Sequence, residues 1–261
     1  MNILDRIAAH KRTEISLKKK VVPESQLRNA ALFSRQTRSL KASLLERPFG
    51  IIAEHKRRSP SRAVINQKTP LTDIVSGYDQ GGAAGISVLT DGTFFGGSLE
   101  DLLQARALTD LPLLRKEFIL DPYQLLEAKA HGADAILLIA ALLSREEMEA
   151  LSAGAHELGL EVLLEVHDLE ELERSPAGAV ELIGVNNRNL KTFEVSLDTS
   201  RGLVGAIPAS AAPVSESGLG DPAELRELRA LGFRGFLMGE NFMKEPDPGA
   251  ALTGFLKRLE P

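Results

Sequence analysis

The chain has 261 residues, no cysteine, 43% hydrophobic residues and a formal charge of −5. No stretch approaches the roughly 20 apolar residues of a membrane span. The first residues lack the apolar run of a signal peptide, and without thiols there is neither a disulfide framework nor a thiolate metal site. These readings point to a cytoplasmic protein with a sizeable core.

In chain order, residues 1–47 come first. They hold eleven Lys/Arg against four Asp/Glu, a charge of +7, so residues 48–261 carry −12. A basic arm on an acidic body can bind nucleic acid, meet an anionic ligand, or clamp the body itself. Two short helices are predicted in it, over about 2–18 and 23–32, followed by a linker. From residue 49 short apolar runs alternate with amphipathic stretches. The runs are 50–56, 85–90, 111–118, 134–140, 161–166, 181–187, 212–217 and 234–239, each separated by room for a return helix. Helix starts are marked between them. Asp121-Pro122-Tyr123-Gln124 and Asp221-Pro222-Ala223-Glu224 offer a capping Asp and a first-position Pro, and Ser144-Arg145-Glu146-Glu147 reads as a capping box. Gly132, Gly159 and Gly232 fall where helices end.

Eight strand–helix repeats imply parallel strands and right-handed crossovers. They fit an α/β fold of one kind, a closed (β/α)8 or TIM barrel with an N-terminal helical extension. An open dinucleotide-binding sheet would need a GxGxxG turn after its first strand, and there is none. The expected organisation is one barrel domain over 1–261, with 1–47 as the extension.

A parallel strand buried on both faces should read as uninterrupted Val/Ile/Leu. Several of these strands do so until their last residues, which are Glu54 and Lys56, Lys116, Glu165, Asn186 and Arg188, and Glu216 and Ser217. A lone charge at a strand end is usually solvated. Five ionisable groups at the same end of four strands are harder to dismiss, because that end of a barrel is the mouth where active sites are built. The side-chain period of two puts Ile52, Glu54 and Lys56 on one face, and likewise Leu114 with Lys116, Leu163 with Glu165, and Val214 with Glu216. If those faces point inward, two lysines and three glutamates enter one small volume. They must then pair with one another or with a ligand. Close Lys–Glu pairs there shift each other's proton affinity, which suits acid–base chemistry. The glycines of Ser217-Gly218-Leu219-Gly220 and Met238-Gly239-Glu240 follow the seventh and eighth strands, the usual phosphate site of this barrel. The five histidines read as surface or structural residues; His167 follows the Glu165 face and lies within reach of the rim. No His/Asp/Glu group has metal-site spacing.

In order, the runs IIAEHKRRSPS, SVLTDGTFFGGS, LLRKEFI, LLIAALL, LLEVH, IGVNNRNL, VSESGL and LMGENFM resemble the strand-end motifs of the indole-3-glycerol-phosphate synthase family of tryptophan biosynthesis. The likeness spans about 50–243 and extends to the helical extension. It implies a phosphorylated small-molecule substrate, 1-(2-carboxyphenylamino)-1-deoxyribulose 5-phosphate, and a carboxy-lyase reaction giving indole-3-glycerol phosphate, carbon dioxide and water. It implies no cofactor and no metal. Carried over by motif position, Lys116 is the general acid at the substrate carbonyl and Glu165 an acid–base partner in the dehydration. Lys56 meets the substrate carboxylate and joins in proton transfer; the division between the lysines stays open. Glu54, Asn186 and Glu216 orient these groups, and Arg188 lies near the substrate. Ser59, Ser217, Gly218, Gly239 and Glu240 match the phosphate positions. Phe94, Phe95, Phe118 and Leu190 flank the aromatic ring. Two departures stand out. Ser61-Arg62-Ala63 replaces the common Ser-Lys-Gly, and Lys116-Glu117-Phe118 the usual Lys-Asp-Phe.

Two alternatives accompany this expectation. One is a phosphoribosyl isomerase on the same scaffold, although that chemistry typically uses carboxylates or cysteine where this chain has lysines. The other is a nucleic-acid binder using the basic arm, which has one aromatic residue, Phe33, and no recognised motif. The expected partners are therefore a small molecule, with neither nucleic acid nor membrane, on a monomer or weak homodimer. The arm is expected to pack as a lid or clamp over the mouth, held by barrel acids.

Overall fold

The structure, a computed structural model, describes residues 3–189 and 192–259. Eight strands form the barrel wall: β1 (Gly50–His55), β2 (Gly85–Leu89), β3 (Leu113–Lys116), β4 (Ala135–Ile139), β5 (Glu161–Val166), β6 (Leu182–Asn186), β7 (Ala212–Glu216) and β8 (Gly235–Met238). Neighbours pair in parallel in sequence order, and β8 closes on β1. The expected TIM barrel is borne out, with helices between the strands.

Each strand is buried on both faces, which explains its near-continuous apolar sequence. One set of side chains fills the barrel: Ile52, Leu114, Leu137, Leu163, Leu182, Val214 and Leu237. The alternate set, including Ile51, Ala53, Val88, Leu138, Leu164 and Ile183, packs outward under the helices. Ile52, Leu114, Leu163 and Val214 are therefore inward, and the period of two sends Glu54, Lys116, Glu165 and Glu216 the same way. The register then aligns the mouth: Glu54 lies opposite Ser87, Leu89 opposite Lys116, Ile139 opposite Glu165 and Asn186 opposite Glu216.

The strand predicted over 111–118 is shorter as β3. Pro112 has no N–H to give the ladder and only accepts, from the Ile86 N–H at 3.0 Å. The predicted helix starts hold. Ser144 and Glu147 form a reciprocal capping box, Asp221 caps the helix Pro222–Leu231, and the Asp121 carboxylate accepts from the Tyr123 N–H at 2.9 Å. Gly132, Gly159 and Gly232 end helices with positive φ.

The arm forms three helices rather than two: α1 (Ile3–Val21), α2 (Glu24–Arg28) and α3 (Leu40–Leu45). The segment expected to be a linker thus contains α3, whose start is capped by the Ser39 hydroxyl accepting from the Ala42 N–H at 2.9 Å. Leu40 and Leu44 are fully buried in the same cluster as the barrel-filling residues. They plug the end opposite the mouth. Gly85 leaves the space for Leu40, since a Cβ there would overlap the Leu40 side chain.

The arm's cations hold barrel acids along the whole height of the wall. Lys11 is buried, and its Nζ lies 3.0 Å from Asp91, 3.2 Å from Glu117 and 2.8 Å from Glu14. Burial alone would favour the neutral amine, but the surrounding carboxylates outweigh it and raise the Lys11 pKa. Lys19 pairs with Asp121 at 2.7 Å and Arg35 with Asp134 at 2.6 Å. Among the described residues of the arm, Ile3, Leu4 and Ile7 of α1 line the mouth, the place where the lid was expected. The remainder is a clamp and a bottom plug.

Candidate active site

The strand-end charges converge as the alternation requires. Lys116 Nζ lies 2.7 Å from Glu216 Oε2 and 3.1 Å from Glu165 Oε2. Beside this triad, Lys56 Nζ lies 2.6 Å from Glu54 Oε1, and Ser87 Oγ donates to Glu54 Oε2 at 3.3 Å. Asn186 Nδ2 donates to Glu165 Oε1 at 3.1 Å, while Asn186 Oδ1 accepts from the Arg188 N–H at 2.9 Å. Gly184 keeps the wall of β6 flat here, because a Cβ would collide with Glu216 Oε1.

Electrostatics divides the roles. Burial disfavours the Lys116 ammonium, but Glu216, Glu165 and Glu54 outweigh burial and raise its pKa, so it stays charged. Burial likewise pushes the Glu165 carboxyl up, yet Lys116, His167 and Asn186 together bring it down to about 2. Glu216 goes the other way. Burial and the Glu165 charge beside it hold its carboxyl up at about 7 against the pull of Lys116. Its Oε1 is buried without a hydrogen-bond partner among the described residues. One cavity therefore holds a protonated amine, a firmly ionised carboxylate and a carboxylate poised near neutrality. Such a set can give a proton to one substrate atom and take one from another.

The cavity has a volume of about 380 Å³. Ser59, Ser217, Gly218, Gly239 and Glu240, the residues expected to meet phosphate, all line it. Ser217 and Gly218 both have left-handed backbone, φ 66° and 77°, an unusual conformation for a serine. Asn187 holds that turn, donating through Nδ2 to Ser215 Oγ at 3.0 Å, to the Glu216 carbonyl at 2.9 Å and to the Ser217 carbonyl at 3.2 Å. Across the rim, Arg62 pairs with Glu240 and ties the loop after β1 to the loop after β8.

The opposite wall is apolar. Phe95 and Phe118 line it with ring centroids 5.8 Å apart, joined by Leu137, Ile139 and by Ile3, Leu4 and Ile7 of α1. Arg188 lines the rim near Phe193, whose carbonyl accepts from its Nη1 at 3.3 Å. Phe94 packs against the same cluster but does not line the cavity, and it meets His10 edge-on at 5.7 Å. Leu190 lies outside the described residues. Glu117, pointing away from Lys116, serves as an anchor for Lys11.

Three contributors escaped sequence reasoning. Asn187 follows Asn186 directly, and its only signal was the doubled asparagine. The apolar residues of α1 carry no motif. His167, read as structural, has Nε2 3.5 Å from Glu165 Oε1; the signal was its place two residues after Glu165 on the same face. Among the described residues no group of three or more His, Asp or Glu side chains is placed to hold a metal ion. No helix among them is long and apolar enough to cross a membrane.

Comparison with known proteins fits this geometry. The family model described as indole-3-glycerol phosphate synthase matches residues 4–255. A protein of that name from Bacteroides thetaiotaomicron is 49% identical over 259 residues, covering 99% of both chains. Another from a Polaromonas species is 47% identical over 256 residues, covering 97% of both. Among solved structures, thiamine phosphate pyrophosphorylase from Pyrococcus furiosus aligns with a TM-score of 0.62 at 18% identity, covering 85% of this chain and 98% of its own. A mutant tryptophan synthase α-subunit from the same organism aligns at 0.62 and 14% identity, covering 80% of this chain and 97% of its own. At those identities the two structures speak for the barrel alone.

Proposed function

The chain belongs to the indole-3-glycerol phosphate synthase family, and from that premise we propose how its barrel mouth performs the reaction. The substrate is 1-(2-carboxyphenylamino)-1-deoxyribulose 5-phosphate, and the products are indole-3-glycerol phosphate, carbon dioxide and water. The observation that carries this reading is the Lys116 ammonium held between Glu216 at 2.7 Å and Glu165 at 3.1 Å on the inner face of the mouth.

Ring closure needs a proton donor at a carbonyl that becomes a hydroxyl. Lys116 supplies it, inside a cavity whose walls strengthen its electrostatic effect. Lys56, with Glu54 beside it, receives the substrate carboxylate, and Arg188 adds charge at the rim. Loss of carbon dioxide restores the aromatic ring and makes the step irreversible. Glu165 then takes the proton that the ring carbon loses and delivers it to the hydroxyl, which leaves as water and returns the carboxylate to its ionised form, with Asn186 and Glu216 fixing the carboxylate and the ammonium. Fixing an open-chain sugar for ring closure is an orientation problem, worth up to roughly 7–11 kcal/mol in favourable cases. The phosphate is anchored by Ser59, Ser217, Gly218, Gly239 and the Glu240 backbone, and the benzoate ring by Phe95 and Phe118. Phe94 supports that wall from behind in this scheme.

Every group named belongs to one chain, so the working unit we propose is a monomer acting on a small phosphorylated anion. A chain without cysteine asks nothing of an oxidising compartment, and the cytoplasm is the proposed setting. The test is turnover. Purified protein mixed with the substrate at neutral pH in the presence of a chelator is expected to develop indole fluorescence. No emission above that of the uncatalysed mixture contradicts the reading.

A further inference from the structure

The proposed reaction consumes a proton from solvent in each cycle. Ring closure moves a proton from the Lys116 ammonium to the carbonyl oxygen as the carbon–carbon bond forms. The carboxylate then leaves as carbon dioxide, and the electron pair of the broken bond restores the ring, with no proton released. Dehydration balances itself: the departing hydroxyl takes one proton and the carbon that loses hydrogen returns one. Lys116 is left as a neutral amine and must be recharged, yet it is enclosed by carboxylates.

A route to it is laid out in the side chains. Lys116 Nζ is 3.1 Å from Glu165 Oε2, and the other oxygen of Glu165 is 3.5 Å from His167 Nε2. His167 Nε2 is buried, without a hydrogen-bond partner among the described residues, and faces Glu165. The ring is held from behind by Glu171, whose Oε2 lies 3.1 Å from Nδ1 and accepts from the His167 backbone N–H at 2.9 Å. Glu171 belongs to the helix Leu169–Arg174 at the rim, where it is partly exposed. Neither residue has a part in the chemistry derived above.

We propose that His167 is the relay that recharges Lys116 through Glu165, which rests on the function proposed in the preceding section. The Nε2–H bond breaks as an O–H bond forms on Glu165 Oε1; the carboxyl then turns to present that O–H to the Lys116 amine, and the O–H bond breaks as the ammonium re-forms. His167 keeps its Nδ1–H on Glu171 and regains the Nε2 proton from water that enters as product leaves. The charged groups facing the ring are Glu165 on β5, Glu171 on the helix after it and Glu216 on β7, with Lys116 behind Glu165. Burial lowers the imidazole pKa, but these three carboxylates outweigh burial and raise it, which favours the charged ring. His167 does not meet the substrate; it acts through Glu165.

The experiment is steady-state turnover of wild type, His167→Gln, His167→Asn and Glu171→Gln across pH. The His167 variants are expected to lose roughly tenfold in kcat, less than a group that meets the substrate itself, with KM nearly unchanged. Imidazole in the tens of millimolar should restore kcat in a saturable way, which lost packing would not allow. In wild type, kcat should fall as pH rises through the raised imidazole pKa. In Glu171→Gln that fall should begin at lower pH, since one of the carboxylates holding the ring charged is gone. Two folded His167 variants with wild-type kcat at all pH, or with a loss that imidazole leaves untouched, overturn the relay alone. Absence of wild-type turnover in the same assay overturns the proposed function and the relay with it.

Discussion

Lys116→Ala is expected to lower kcat by at least about a hundredfold, the low end for a general acid or base. The substitution removes the proposed proton donor and also the cation that Glu165 and Glu216 share at 3.1 and 2.7 Å. Without it three buried glutamates, Glu54 included, face one another, and Lys56 is paired, among the described residues, with Glu54 alone. Like charges in a partly dry cavity resist ionisation, so these carboxyls take up protons. Glu165 then loses the ionised form that the dehydration needs, and both halves of the reaction suffer. KM should move less than kcat, because the proposed phosphate and benzoate contacts lie elsewhere. Saturating initial rates decide the matter. A folded variant with near-wild-type kcat removes Lys116 from the general-acid role.

Deletion of residues 1–47 is expected to abolish the soluble folded protein. The arm buries Ile7, Ile15, Leu27, Leu40 and Leu44. At about 1.5–3 kcal/mol for each fully buried side chain, their loss is comparable to the whole stability of a typical domain, about 5–15 kcal/mol. The deletion also uncovers the floor of the barrel beneath Leu40 and Leu44 and leaves Asp91 and Glu117 buried without Lys11. Thermal unfolding followed by circular dichroism is the check. A truncated chain with unchanged Tm and KM would show that the arm's charge and its leucines serve another purpose.

Much of the barrel was legible because one physical rule governs every strand. Alternate residues face the interior, so an apolar strand ending in Glu or Lys announces both the mouth and the face that enters it. Glu54, Lys116, Glu165 and Glu216 follow from that rule alone. Local chemistry was equally readable where it is self-contained, as in the Ser144–Glu147 capping box. Features that depend on a distant partner were not. Leu40 and Leu44 are two of three leucines in a short helix whose third, Leu45, is exposed, and their burial depends on a floor made by Gly50, Gly85 and Gly235. Phe94 and Phe95 are adjacent in one turn of helix and both pack against the barrel-filling cluster, yet only Phe95 lines the cavity, so a motif containing both cannot tell which meets it. The approach of His167 to Glu165 is set by the turn after β5 and the Glu171 side chain, neither of which alternation describes. Net charge misleads in a similar way: the arm's +7 is spent largely on barrel acids, while the anionic substrate is proposed to meet a few cations on the −12 body.

The assignment of Lys116 to the substrate carbonyl is tested most directly by a crystal structure with a substrate analogue whose carbonyl is reduced to a hydroxyl. The expected complex has that hydroxyl oxygen within about 3 Å of Lys116 Nζ, a hydrogen-bond distance, with the phosphate against Ser217, Gly218 and Gly239 and the carboxylate against Lys56. A complex with the hydroxyl on Lys56 and Lys116 out of reach would contradict it.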